Sequence, residues 1–265
     1  MTSVRRALIP CGGVGSRMLA ITGGAPKELV KVGGVPVLER VMAECVASGI
    51  DEILVIVGPG KHAVADFACS RVGGQGMPAH VAIAEQTLPR GLADAIRLGR
   101  PFANGEPLAV ALPDNLFVSD TPAMRQVIDT YRRTDKNVVA MVEITAADAE
   151  RRGPTAAYPG RVVGDEFFIE RVPEKGERTS RFDTGGAASA FSGIGRFLFL
   201  ADGFDAINEV EETLPADKEL DDIPVMQLLL SRDRLIGSRI RGRFLDAGLP
   251  DGYAEANELL ATKSP

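Results

Sequence analysis

An apolar run that breaks at once into a glycine-rich turn constrains this chain more than any other feature. Ala7-Leu8-Ile9-Pro10 reads as a short buried strand, and Cys11-Gly12-Gly13-Val14-Gly15-Ser16-Arg17 follows it directly. Three glycines within four residues let the backbone take left-handed angles and approach a ligand closely. Several N–H groups can then point into one concavity, which suits phosphate oxygens. Arg17 adds a forked cation that is always charged, and Pro26-Lys27-Glu28 puts an ammonium on a second loop. The combination predicts a polyphosphate site. It is not a P-loop, which needs Lys then Ser or Thr where Ser16-Arg17 stands. Nor is it a dinucleotide fingerprint, which needs a small residue where Met18 stands.

Downstream, Leu38, Val41, Met42, Cys45 and Val46 recur at helical spacing, with Gly49 as a stop. Glu52–Val57 reads as a strand buried on both faces. Strands over 80–84 and 108–112 alternate with helices over 63–69 and 91–99. Such alternation implies right-handed crossovers and a mainly parallel sheet, whose ligands sit at the carboxyl ends of strands. The glycine turn, Glu85-Gln86 and Asp114 each follow a strand directly and so share that edge. The second half is less regular. It reads as a helix over 124–133, a strand over 137–144, a hairpin within 161–172 around Gly164-Asp165, a polar glycine-rich loop over 176–188 and a strand over 191–200. Helices near 202–210 and 223–231, a strand over 235–240 and a helix over 253–261 complete it. No linker divides the chain, so one domain over 1–265 is expected.

The formal charge of −6, with no long basic run, argues against nucleic acid as a partner. An anionic substrate must then be met by local cations rather than by a global field. Three cysteines, Cys11, Cys45 and Cys69, fit a reducing cytoplasm better than a disulfide framework. His62 and His80 are too scattered for a zinc site. No stretch approaches the roughly 20 apolar residues of a membrane span, so no membrane partner is expected.

The glycine loop followed by Arg17, a spacer and Pro26-Lys27 resembles the signature of sugar-nucleotide pyrophosphorylases, a nucleotidyltransferase family. Its spacing is closest to the bacterial UTP–glucose-1-phosphate uridylyltransferases. Three later segments extend the resemblance: Glu85-Gln86 with Gly91-Leu92, Leu112-Pro113-Asp114, and Leu245-Asp246-Ala247-Gly248. The resemblance implies an α/β fold, a Rossmann-like, mainly parallel twisted sheet flanked by helices, with a smaller β-rich part for the sugar. It assigns 1–135 to the nucleotide and 136–265 to the sugar phosphate and the C-terminal helices. It implies Arg17, Lys27 and Asp114 as catalytic residues. Cys11, Gly12, Gly13, Gly15, Ser16, Gln86 and Gly91 would bind the nucleotide, with the Gln amide and the Gly backbone reading the base. Asp114 and Asp246 would hold Mg²⁺, whose preference is for hard oxygen ligands.

Pro173-Glu174-Lys175-Gly176 resembles the family's Val-Glu-Lys-Pro segment. Glu174, Lys175 and Gly153 are therefore implied at the sugar phosphate, with Glu170-Arg171 as the competing alignment. Departures concentrate in this part: Asn115 replaces a second acid, Gly176 a proline, Ala190 a sugar-holding Asn, and Asp94 a frequent histidine. The expected reaction joins UTP and glucose 1-phosphate into UDP-glucose, releasing pyrophosphate. The alternatives are another nucleotide (dTTP, CTP or GTP), another sugar 1-phosphate, or a nucleotide-binding protein without turnover. Cytoplasmic location and a homo-oligomer, dimer or tetramer, are further expectations.

Overall fold

The computed structural model describes residues 3–13, 15–145, 158–174, 189–215 and 217–261. Its frame is a nine-stranded sheet in the order β5-β4-β1-β6-β11-β8-β12-β10-β9. In chain order these strands are β1 (Arg6–Cys11), β4 (Glu52–Val57), β5 (His80–Glu85), β6 (Leu108–Ala111), β8 (Asn137–Thr145), β9 (Gly160–Val163), β10 (Glu166–Ile169), β11 (Ser189–Phe199) and β12 (Leu235–Arg239). β5, β4, β1 and β6 pair in parallel, as do β8 and β12. Only β11 and β10 run against both of their neighbours. The mainly parallel sheet flanked by helices is thus present, with a reversed strand at its middle that the sequence pattern did not reveal. Two small antiparallel sheets, β2 (Lys31–Val32) with β3 (Val35–Pro36) and β7 (Asn115–Val118) with β13 (Arg243–Asp246), stand beside it.

The central strands are apolar because both faces are covered. On β1, Ala7, Ile9 and Cys11 enter one core with Val41, Met42 and Cys45 of the Val37–Ala47 helix. Leu8 enters the other with Ile96 and Leu108. Side chains of successive strand residues point to opposite faces, so one six-residue strand serves two cores. The sequence-based helix over 91–99 is present as Leu92–Arg97, and a second short helix, Arg100–Ala103, follows it. Pro101 opens the second, because a proline fits only the first turn of a helix.

Chain order creates the crevice. From β1 the chain moves outward to β4 and β5, then returns to β6 on the other side of β1. The loops leaving β1 and β6 therefore diverge, and a cleft opens at this switch point. The glycine turn leaves one bank and Leu112-Pro113-Asp114 the other.

Candidate active site

The glycine turn is shaped from behind by a lysine that sequence reasoning missed. Lys61 Nζ donates to the backbone oxygens of Cys11 (2.6 Å) and Gly13 (2.6 Å) and to Glu28 Oε1 (2.9 Å). Across a trans peptide the C=O and N–H are antiparallel. The Gly12 N–H, opposite the Cys11 carbonyl, therefore points away from Lys61. Glu28 is completely buried, and its second oxygen has no partner among the described residues. The same ammonium thus ties the glycine turn to the loop that carries Lys27. Cys11 contributes only backbone. Its side chain is buried, and burial, reinforced by the nearby Glu28 charge, pushes the thiol well above its ordinary range, so it is no nucleophile.

Lys27 sits at the start of the short 3-10 helix Lys27–Leu29 and reaches Asp114 at 2.5 Å, with both side chains about one fifth exposed (21% and 18%). Burial works to lower the Lys27 pKa, but the charge and hydrogen bond of Asp114 outweigh it and the net shift is upward. Lys27 is therefore held as a cation. Asn115, where many relatives would carry a second acid, has a different job. Its Nδ2 donates to Asp114 Oδ1 at 3.1 Å and its Oδ1 accepts from the Gly195 N–H at 2.9 Å.

Asn115 also stands opposite Asp246 in the β7/β13 pair, and the Ala247 N–H donates to the Asp114 carbonyl at 2.8 Å. This small sheet brings Asn115 together with Asp246, 131 positions further along the chain. A Cβ placed on Gly248 would lie 2.8 Å from Asp114 Oδ2 and 3.2 Å from Asp246 Oδ1, so both carboxylates converge on that glycine. Two carboxylates at one point, with phosphate oxygens and water to complete the shell, fit what Mg²⁺ takes. Among the described residues no group of three or more His, Cys, Asp or Glu is clustered, so an all-protein cage does not compete with this reading. Gly248→Ala is expected to leave thermal stability nearly unchanged, because only the flexible ends of two side chains must move. Turnover should fall about 10- to 100-fold, since sub-ångström displacement of positioning groups is costly. Thermal melting and steady-state rates of the same preparation check it.

On the opposite bank Gln86 is nearly buried (7% exposed). Its amide oxygen lies 2.8 Å from where a Cβ on Gly12 would be. Gly91 opens the Leu92–Arg97 helix at φ 112°, and a Cβ there would lie 2.4 Å from the Leu220 carbonyl. Only glycine satisfies both conditions. Gly12, Gly13, Lys27, Gln86, Gly91 and Asp114 line one cavity of about 270 Å³.

Other anticipated residues lie around it or apart from it. Gly15 packs against the Lys27 side chain. Ser16 and Arg17 belong to the one-turn helix Ser16–Met18, where Arg17 is exposed and makes no ion pair among the described residues. Glu174 accepts from Gln227 Nε2 at 2.9 Å and is not among the cavity's lining residues. Lys175 and Gly153 lie outside the described residues. A larger cavity of about 590 Å³ lies beyond β7, but its arginines are already matched to acids: Arg133 to Glu166, Arg239 to Glu143 and Arg241 to Asp165. Of these two, the smaller cavity is the one lined by Lys27 together with the glycine turn.

A buried arginine supports the far bank. Arg196 is fully buried, and its guanidinium forks onto Glu44 (3.0 and 2.8 Å). It also donates to the carbonyls of Leu112, Gly195 and Asn115 at 3.0, 2.8 and 2.7 Å. The β11/β8 register shifts between Ile194 and Phe197, and such a bulge re-aims side chains. The arginine thereby grips the turn that carries Asp114.

Comparison with known proteins bears on the family and the fold. Residues 6–263 match the family described as Nucleotidyl transferase. A Bacillus subtilis (strain 168) protein, provisionally named a UTP–glucose-1-phosphate uridylyltransferase, is 28% identical over 267 residues, 94% of each chain. The UTP–glucose-1-phosphate uridylyltransferase of Staphylococcus epidermidis (strain ATCC 35984) is 25% identical over 283 residues, 100% of this chain and 95% of its own. A crystal structure of UDP-glucose pyrophosphorylase complexed with UDP-glucose superposes with a TM-score of 0.83 at 22% identity. It covers 99% of this chain and 100% of that one, which fixes the fold. Among the described residues no helix is long and apolar enough to cross a membrane.

Proposed function

The chain belongs to the nucleotidyl transferase family, and from that premise we propose that it joins UTP to glucose 1-phosphate, releasing pyrophosphate and forming UDP-glucose. The single observation that carries this reading is the pairing of Lys27 with Asp114 in one cavity walled by Gly12, Gly13 and Gln86. A cation, a carboxylate, free backbone donors and an amide stand where a triphosphate and its base would lie together. The names of the relatives support the choice of substrates.

In the reaction a phosphate oxygen of the sugar phosphate forms a bond to the α-phosphorus of the nucleotide. The bond from that phosphorus to the β-phosphate bridging oxygen breaks, and its electron pair leaves with pyrophosphate. The nucleophile is an anion near neutral pH, so no general base is needed, and catalysis is positioning and charge neutralisation. Backbone N–H groups of the glycine turn and Arg17 receive the leaving pyrophosphate. Lys27, held charged beside Asp114, lies against the phosphates as charge shifts. Asp114 and Asp246 would hold Mg²⁺, which supplies further neutralisation of the phosphate oxygens. The three free cysteines, Cys11, Cys45 and Cys69, suit a reducing compartment such as the cytoplasm.

A pyrophosphate-release screen across UTP, dTTP, CTP and GTP with a panel of sugar 1-phosphates tests the reading. UTP with glucose 1-phosphate is expected to give the highest kcat/KM. Release with a different sugar would keep the chemistry and change the acceptor. Ala190, in place of a sugar-holding Asn, favours including non-glucose acceptors. UTP binding by calorimetry with no release for any pair would leave only a nucleotide-binding protein.

A further inference from the structure

The orientation of the Gln86 amide is fixed by an aspartate, and that orientation selects a base. Gln86 Nε2 donates to the Gly91 carbonyl at 3.0 Å and to Asp94 Oδ2 at 2.8 Å. An amide has two N–H hydrogens, and both are used. No described residue donates to the amide oxygen, which lies over Gly12 on the cavity side. Asp94 is itself nearly buried (4% exposed), and its other oxygen accepts from Arg97 at 2.8 Å. The Asp94 N–H is anchored on the Leu220 carbonyl. Neither Gly91 O nor the Arg97-paired carboxylate can donate, so the amide nitrogen must face them and the oxygen must face the ligand.

The geometry points to Asp94 as the residue that sets base specificity, by holding Gln86 as a pure acceptor toward the nucleotide. This inference rests on the nucleotidyl-transfer reading and deepens it. A pure acceptor pairs with the N3–H of an imide pyrimidine, uracil or thymine. Cytosine offers a lone pair at N3, which meets the amide oxygen as acceptor against acceptor. Flipping the amide to suit cytosine would place its oxygen against Gly91 O and Asp94 Oδ2, three acceptors facing one another. Asp94 therefore does not touch the ligand; it positions the group that does, and the Arg97 pair holds it in place.

The test uses the full-length protein with UTP, CTP and N3-methyl-UTP, each with saturating glucose 1-phosphate. The parent is expected to use UTP and to discriminate strongly against the other two. Asp94→Ala, which removes one of the two acceptors, should lower the UTP-over-CTP ratio of kcat/KM about 10- to 100-fold, the range for one mispaired buried polar group. Asp94→Asn, which keeps an acceptor, should lower it less. A purely structural role would depress both nucleotides equally and leave the ratio unmoved, which overturns the inference. So does a parent that uses N3-methyl-UTP as well as UTP, a result that needs no folded variant. Pyrophosphate release from UTP by the parent upholds the nucleotidyl-transfer reading in either case. Its absence with every pyrimidine and every sugar 1-phosphate of the panel ends both.

Discussion

Asp114→Asn is expected to lower kcat/KM about 10²- to 10³-fold, and Asp246→Asn to do the same. The expectation follows from where the two carboxylates meet. Both flank Gly248, brought together by the β7/β13 pairing and the Ala247-to-Asp114 hydrogen bond. In the proposed reaction each supplies charge that organises the phosphates in the transition state, and Asp114 is already set against Lys27 in the free protein. Loss of one such preorganised group is worth about 3–4 kcal/mol, and each 1.36 kcal/mol is tenfold in rate. Asp114→Asn has a second signature. Asp114 is the chief source of the upward shift at Lys27, acting against burial. Without it, burial favours the neutral amine and Lys27 loses its proton at lower pH than in the parent. The alkaline limb of the residual pH–rate profile should therefore move downward in pH. Asp246→Asn, which leaves the Lys27–Asp114 pair in place, should not show that movement. Magnesium titrations at fixed UTP, with rates followed by pyrophosphate release, separate weakened metal use from lost chemistry. Near-parental turnover in both variants would remove these residues from the site.

Most parts of the site that sequence made legible share one property: they are loops that directly follow a strand. The strands announce themselves by continuous apolar runs such as Glu52–Val57, and the loops by glycine, proline and charge. Gly12, Gln86 and Asp114 were found in this way and Lys27 by the Pro-Lys pair on a second loop, and all four line one cavity. Asp246 was found by the resemblance of Leu245-Asp246-Ala247-Gly248 to a segment of the family. What stayed hidden acts through backbone oxygens or across long sequence separations. Lys61 follows Gly58-Pro59-Gly60 and reads as an exposed turn; nothing in that pattern says its ammonium turns inward to Cys11 and Gly13. The four-residue strands β7 and β13 are too short for a periodic signal, and their pairing is set by tertiary contact. Asn115 looked like a lost acid and is instead a clamp between Asp114 and Gly195. Asp94 looked like a substituted histidine, and only the hydrogen bonds reveal which way it turns Gln86. One hidden element did leave a trace: an arginine inside the otherwise apolar strand Ser189–Phe199. A charge in a buried strand signals a partner to be found.

That arginine carries the largest expected effect on stability. Arg196→Met should cost about 3–5 kcal/mol, the range for removing one member of a buried ion pair. The whole stability of a domain is typically only about 5–15 kcal/mol. The cost comes less from the lost bonds than from what they leave behind. Glu44 would lose its cationic partner, and the carbonyls of Leu112, Gly195 and Asn115 would each lose one donor. Arg196→Lys cannot rescue this, because one ammonium cannot fork onto a carboxylate and three carbonyls at once; its cost should fall between the parent and Arg196→Met. Adding Glu44→Gln to Arg196→Met removes the stranded charge while an amide oxygen still accepts from the Met124 N–H, as Glu44 Oε1 does now. The double variant should therefore be more stable than the sum of the two single changes predicts, by about 1–3 kcal/mol of coupling for residues in contact. Urea midpoints with a common slope, read for the parent, both single variants and the double, give that coupling directly. A cost below about 1 kcal/mol for Arg196→Met, or strict additivity with Glu44→Gln, would show that the pair does not hold the turn carrying Asp114. Confirmed coupling would place the support of the catalytic carboxylate in the middle of the sheet, on the one strand there that runs against its neighbours.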